Sequence, residues 1–150
     1  MIRDDIKTAT ITAMKGGDKG TTATLRLVQA AIKNRDIEAR TGGAPKDDDA
    51  LVTEVLQKMI KQRRESLAIY EKAGRTEQAA QEATEIAVIE EFLPKQMSDA
   101  EAREAVAVAI KETGAAGPKD MGRVMSALKQ RYAGQMDFGK ASGLVKELLK

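Results

Sequence analysis

The fold is decided by the stretch Lys58-Met59-Ile60-Lys61-Gln62-Arg63-Arg64-Glu65-Ser66. Apolar residues recur at steps of three and four from Leu51 to Tyr70, which is the spacing of one face of an α-helix. Arg63 falls on this apolar stripe, where an unpaired buried charge costs several kcal/mol. The sequence therefore predicts a long helix in which Arg63 either has an acidic partner or reaches solvent.

The acidic partner of Arg63 is expected on the next helix along the chain. That helix follows the break at Gly74-Arg75, and its apolar stripe carries Glu82, with Glu85 beside it. In an antiparallel helical hairpin, residues equally far from the turn face each other, and Arg63 and Glu85 are each about eleven residues from it. We predict an Arg63–Glu85 ion pair that fixes the register of the hairpin, with Glu82 as the second choice.

The rest of the chain also reads as helical. Helix-forming residues dominate and alternating strand patterns are absent, so the sequence predicts an all-α fold. Thr21 or Thr22 is expected to cap the second helix, and Asp47 to cap the third. The expected helices are 2–14, a second from residue 21 or 22 towards 41, and then 47–74, 76–91, 99–113, 118–132 and 138–149.

The segment Phe92-Leu93-Pro94-Lys95-Gln96-Met97 marks the predicted boundary between two helical domains. Its proline ends the helical pattern, and Ser98 with Glu101 forms a capping box that opens the next helix. We therefore expect a four-helix N-terminal domain at 1–93, containing the long helical hairpin, and a compact three-helix C-terminal domain at 97–150.

The composition restricts the chemistry that the chain can perform. The 150 residues include no Cys and no His, so thiolate chemistry, the usual general base and the commonest transition-metal ligand are all missing. Apolar runs are too short for a transmembrane helix, and the first residues do not resemble a signal peptide. We expect a soluble cytoplasmic protein with no cofactor, no metal site and no membrane contact.

The charge and the aromatic content restrict the kind of RNA that the chain could bind. A net charge of +2, from 25 basic and 23 acidic residues, is not the strongly basic balance of a general nucleic-acid coat protein. With 2 Tyr, 2 Phe and no Trp, the chain has too few aromatic side chains to stack the bases of single-stranded RNA. Any RNA ligand is therefore expected to be folded and recognised through its backbone and shape.

Basic side chains on two helices are the candidate contacts for such an RNA. On the third helix, Lys61 and Arg64 lie one turn apart, where they can follow a phosphate backbone without reading bases. On the sixth predicted helix, Lys119 and Arg123 form an i, i+4 pair. A solvated charge mosaic is the alternative explanation at every one of these positions. The full candidate set is Lys58, Lys61, Arg64, Lys119, Arg123, Lys129, Arg131 and Lys140.

Several motifs in a fixed order resemble the YqeY branch of the GatB/YqeY family. The resemblance covers essentially the whole chain without a large insertion. The motifs are Lys61-Gln62-Arg63, Glu65-Ser66, Gly74-Arg75, Glu85-Ile86, Phe92-Leu93-Pro94, Lys119-Asp120-Met121-Gly122-Arg123-Val124-Met125 and Leu144-Val145-Lys146-Glu147-Leu148.

The resemblance implies a relationship to the C-terminal tail of GatB, a subunit of the amidotransferase that converts misacylated Glu-tRNA(Gln) or Asp-tRNA(Asn). That tail contacts tRNA and holds no catalytic residues. The implied function is a non-catalytic helical adaptor in translation that binds tRNA or a tRNA-handling enzyme, with the C-terminal basic residues as the better candidates.

Two alternatives stay open at this point. The family is associated with carbon–nitrogen ligase activity that uses glutamine as the amido-N-donor. Because the residues supply no catalytic set, we expect any such activity only together with a catalytic partner. The other alternative is a pure protein–protein interaction module whose adaptable surface would be Met121, Met125 and Met136, unless these side chains belong to the core.

Overall fold

The computed structural model describes residues 1–45 and 47–149, which form seven α-helices and one 3-10 turn. No strand occurs in these two ranges, so the all-α prediction is confirmed. The elements are α1 Ile2–Lys15, α2 Lys19–Ala39, α3 Asp48–Lys72, α4 Thr76–Glu90, α5 Asp99–Thr113, the 3-10 turn Pro118–Asp120, α6 Met121–Tyr132 and α7 Phe138–Leu148.

Contacts between helices divide the chain into two compact units. The first unit is Met1–Leu93 and contains α1 to α4, and the second begins at Pro94 and contains α5 to α7. The predicted division into domains at 1–93 and 97–150 stays a prediction.

The first unit is built around α3, which packs along α4 and also contacts α1 and α2. The apolar stripe that the sequence places on α3 forms the centre of the core, where Val52 and Leu56 are fully buried. Ile89 of α4 is fully buried against the same core. The buried core residues are Ile6, Leu25, Val28, Ile32, Leu51, Val52, Val55, Leu56, Met59, Ile60, Ile86 and Ile89.

A glycine turn sends α4 back along α3. Gly74 has φ 71°, in the left-handed region that glycine enters without the steric cost of a Cβ. The amide of Arg75 then donates to the carbonyl oxygen of Tyr70 at 2.9 Å, which satisfies an acceptor in the last turn of α3. This turn creates the helical hairpin in which α3 and α4 face each other.

Arg3 joins the beginning of α1 to α2 and α3. Its guanidinium donates two hydrogen bonds to Asp36, at 2.8 and 2.9 Å, and two to Asp48, at 2.8 and 3.2 Å. The backbone N–H of Ile2 also donates to Asp49 Oδ1 at 2.9 Å. The hydrogen bonds from Arg3 hold the pKa of both Asp36 and Asp48 below the usual carboxyl value. This network fixes the first turn of α1 beside the first turn of α3.

The second unit is a three-helix arrangement in which α5, α6 and α7 each contact the other two. Ser98 and Glu101 form the predicted capping box at the start of α5, with both reciprocal hydrogen bonds present. The amide of Met97 donates to the carbonyl oxygen of Gln135 at 2.8 Å, which ties the entry of the unit to the loop before α7. The buried core residues are Ala105, Val106, Ala109, Val124, Leu128, Met136, Ala141, Val145 and Leu149.

The prediction that Thr21 or Thr22 caps α2 is wrong. The cap is Asp18, whose Oδ1 accepts a hydrogen bond from the backbone N–H of Thr21 at 3.0 Å. The hydroxyl of Thr22 instead donates to the carbonyl oxygen of Asp18 at 2.7 Å. An aspartate is at least as good an N-cap as a threonine, so the helix begins earlier, at Lys19.

Candidate nucleic-acid interface

The structure brings Arg63 and Glu85 together inside the α3–α4 hairpin. Arg63 Nε donates to Glu85 Oε2 at 3.2 Å, and the two side chains are only 15% and 17% exposed. Gln81 Nε2 donates to the other carboxylate oxygen of Glu85 at 3.3 Å. Glu82, the second choice as partner, has a buried Oε2 without a hydrogen bond among the described residues. Because the Arg63 guanidinium is occupied between two helices, it does not face solvent as an RNA contact would.

The outer face of α3 carries both signs of charge. Lys58 and Lys61 are exposed, and within the described ranges neither forms an ion pair. Glu54 lies four residues before Lys58, and Glu65 lies four residues after Lys61, so all four side chains project from the same side of the helix. The face is therefore a charge mosaic and not a uniformly basic patch.

All three arginines in the predicted RNA-binding set form ion pairs. In each pair the arginine side chain is between 47% and 61% exposed. In two of the pairs the carboxylate is also exposed, and exposed pairs contribute about 0–1 kcal/mol, so a phosphate group can replace those carboxylates at little cost, whereas Asp120 is only 17% exposed. The pairs are Arg64–Glu90, Arg123–Asp120 and Arg131–Glu112.

The predicted lysines of the second unit are exposed and lie on three different elements. Lys119, Lys129 and Lys140 have no ion pair in the part of the chain that the structure describes. Lys129 and Arg131 are two positions apart on α6, which rotates their side chains by about 200° relative to each other. Lys129 and Arg131 therefore project from different sides of α6.

The predicted i, i+4 pair of Lys119 and Arg123 on one helix is wrong. Lys119 lies in the 3-10 turn Pro118–Asp120, and α6 begins only at Met121. Asp120 stabilises this turn, because its Oδ2 accepts from the backbone N–H of Ala116 at 2.9 Å while its Oδ1 accepts from Arg123. The carboxylate thus holds Arg123 beside the turn and interrupts the helix that the sequence predicts over 118–132.

The three methionines do not form an open surface. Met136 is 3% exposed and belongs to the core of the second unit. Met121 and Met125 are partly buried and pack against that core. Their spacing in the sequence reflects packing, so it gives no support to a methionine-lined docking surface.

A basic groove that sequence interpretation missed lies between α1 and α2. It has a volume of about 480 Å³, and its charged lining is Arg3 and Lys7 from α1 with Arg26, Lys33 and Asp36 from α2. Four basic side chains against one acidic side chain make this lining more uniformly basic than the outer face of α3. We call it the basic groove. The signal in the sequence was the seven-residue spacing of Arg26 and Lys33, which places both on one side of α2.

A match to a known protein family extends over both units. Residues 3–149 match the protein family described as Yqey-like protein. The chain belongs to the YqeY-like family. This membership confirms the resemblance that the motifs indicate, from the first turn of α1 to the residue after α7. No curated protein shows a significant match to the chain.

The described residues contain neither a candidate metal site nor a candidate membrane span. Within 1–45 and 47–149, no group of three or more acidic side chains is placed to hold a metal ion. In the same ranges, no helix is both long enough and apolar enough to cross a membrane.

Proposed function

We propose that this YqeY-like protein is a non-catalytic helical adaptor that binds folded tRNA through its phosphate backbone. The observation that carries the proposal is the family match over residues 3–149, taken with the resemblance of this family to the amidotransferase tail. That tail contacts tRNA without contributing catalytic residues. The scarcity of aromatic side chains favours backbone contacts over base stacking.

The exposed lysines supply the physical basis for backbone contacts. An ammonium group is a compact charge with three hydrogen-bond donors, and its pairing with a phosphate releases condensed counterions. Lys119, Lys129 and Lys140 are exposed and free of ion pairs among the described residues. They lie on three different elements, the 3-10 turn, α6 and α7.

The non-catalytic part of the proposal follows from the residue types. Covalent amide chemistry needs an activated nucleophile next to a general base. With no Cys and no His in the sequence, the chain lacks the commonest nucleophile–base combinations. Any part in carbon–nitrogen ligation would therefore be assistance to a catalytic partner, such as delivery of the tRNA.

A binding titration of the full-length protein against labelled total tRNA tests this function. We expect saturable binding that duplex RNA competes for only weakly. Charge reversal of Lys119, Lys129 and Lys140 should weaken binding by about tenfold, at about 50 mM salt, for each residue that contacts a phosphate. The same charge reversal at Lys58 and Lys61 shows how much these two lysines of the first unit contribute to tRNA binding, for comparison with the lysines of the second unit.

The absence of binding at low salt would contradict the proposal. A protein partner would then be the leading alternative. If tRNA and duplex RNA bind equally well, the protein recognises RNA charge in general, and the adaptor function for tRNA fails.

A further inference from the structure

We propose that the basic groove between α1 and α2 is a binding site for the sugar–phosphate backbone of a folded RNA. This inference rests on the proposed function, because it names a surface of the first unit that would contact the same RNA. It goes beyond the sequence interpretation, which placed its candidates on α3 and in the second unit.

The acidic side chain that lines the groove is held by Arg3. Asp36 accepts two hydrogen bonds from Arg3, at 2.8 and 2.9 Å, and Arg3 is held on its other side by Asp48. The hydrogen bond from Arg3 is the largest cause of the lowered pKa of Asp36, and the charge of Arg40 adds to it. Asp36 therefore stays ionised at neutral pH, with both carboxylate oxygens hydrogen-bonded to Arg3.

Three cations in the groove are left for an external anion. Lys7, Arg26 and Lys33 are exposed, and none of them forms an ion pair in the ranges that the structure covers. The hydrogen-bond contact of the Arg26 guanidinium is the sulfur of Met14, at 3.7 Å, which is a weak acceptor. A phosphate oxygen would be a much stronger partner, because charge-assisted hydrogen bonds are about twice as strong as neutral ones.

The helices that carry these cations are fixed relative to each other. Gln29 of α2 donates from Nε2 to Thr10 Oγ1 of α1 at 3.0 Å. Below this bond, Ile6 and Ile32 are 1% and 3% exposed and pack in the core of the first unit. The groove is therefore formed before any ligand binds, so an RNA would not have to order these backbones.

The basic face continues along α2 beyond the groove. Lys19, Arg26, Lys33 and Arg40 are spaced by seven residues, so each lies about two turns, or about 10.5 Å, after the previous one. All four side chains are exposed. A row of cations at this spacing can contact several phosphates along one backbone. An evenly spaced row of this length suits an extended polyanion better than a single small anion.

Charge reversal in the groove is the direct test. In the full-length protein, Arg26→Glu with Lys33→Glu removes two phosphate contacts and introduces repulsion. Binding to total tRNA should weaken by about a hundredfold at about 50 mM salt, and the slope of log K against log salt should decrease by about two. Arg26→Lys with Lys33→Arg keeps both charges and should bind within about threefold of the wild type, since backbone contacts depend mainly on charge.

A matched control separates the groove from net charge. Lys72 and Arg75, at the α3–α4 turn, are exposed and outside the groove. Their reversal to glutamate changes the net charge by the same amount and should leave the affinity within about threefold of the wild type. If this control loses as much affinity as the groove variant, the effect is general electrostatics and the inference is overturned.

The remaining outcomes distinguish the inference from the proposed function. If the wild type binds tRNA but the groove variant keeps its affinity and salt slope, the groove is not an RNA site and the proposed function still stands. If the wild type does not bind tRNA, both fail. Should the groove variant lose helical circular dichroism, the neutral pair Arg26→Gln with Lys33→Gln replaces it, with the same expected decrease in slope.

Discussion

Substitution of one member of the Arg63–Glu85 pair should destabilise the protein more than substitution of both. Arg63→Met leaves the Glu85 carboxylate, which is 17% exposed, without its cationic partner. Glu85→Leu leaves an arginine that is 15% exposed in the same position. The double substitution removes both charges and adds apolar surface beside the core, so its stability should return towards that of the wild type.

The size of this destabilisation follows from the separation and the exposure of the Arg63 and Glu85 side chains. At 3.2 Å and an effective dielectric constant of about 20, the Coulomb attraction is about 5 kcal/mol, and desolvation of the two groups offsets most of it. Fully exposed pairs contribute about 0–1 kcal/mol, whereas breaking a buried pair costs about 3–5 kcal/mol. With exposures of 15% and 17%, the Arg63–Glu85 pair is closer to a buried pair than to an exposed one. We expect each single substitution to cost about 2 kcal/mol, the double substitution about 1 kcal/mol, and the coupling free energy to be about 3 kcal/mol.

Urea unfolding followed by far-ultraviolet circular dichroism measures these free energies, since the sequence has no Trp for fluorescence. Hydrogen exchange of the α3 and α4 amides assigns the change to the first unit. The same cycle at Arg103 and Glu147, which are 50% and 58% exposed, is the matched control and should give a coupling of less than about 0.5 kcal/mol. An equally small coupling at Arg63 and Glu85 would refute the reasoning that this pair fixes the hairpin.

Three further predictions concern the fold. Gly74→Ala places a Cβ at φ 71° and should cost about 1–2 kcal/mol in the same urea assay; an unchanged midpoint would mean that the turn adopts another conformation. Arg3 lowers the pKa of Asp36 and Asp48, so the stabilisation is complete above the ordinary carboxyl value of 3.8 and is lost as the pH falls through the lowered values. Arg3→Met should flatten the decrease of the urea midpoint between about pH 5 and pH 2, and superimposable profiles would contradict this. Expressed separately, the two predicted domains should each show cooperative thermal unfolding by circular dichroism, and a non-cooperative trace from either would show that it needs the other.

Features with a local cause could be predicted from the sequence. The register of the α3–α4 hairpin depends on a glycine turn and on equal distances from it, and both can be read directly along the chain. The capping box at Ser98 and Glu101 is equally local, because its two hydrogen bonds join residues three positions apart. These elements were predicted within one or two residues of their observed bounds, with α4 expected to end at 91 and observed to end at Glu90.

Features that depend on packing between distant segments could not be predicted in this way. Arg3 meets Asp36 and Asp48 across 33 and 45 residues of sequence, and nothing in the local pattern distinguishes it from other exposed arginines. The spacing of Arg26 and Lys33 indicates a basic side of α2, but the groove itself exists only because α1 packs beside α2. The sequence predicts Lys119 and Arg123 one turn apart on the same helix, because its local pattern does not show that Pro118–Asp120 forms a separate 3-10 turn.

Salt-dependent binding of the wild-type protein to tRNA tests the central claim most directly. The dissociation constant for total tRNA would be measured between about 50 and 200 mM salt, with duplex RNA as competitor. We expect saturable binding, preference for tRNA, and a linear decrease of log K with log salt whose slope corresponds to several phosphate contacts, each contributing about 0.7 to 0.9. No detectable binding at the lowest salt concentration would contradict direct tRNA recognition by this protein.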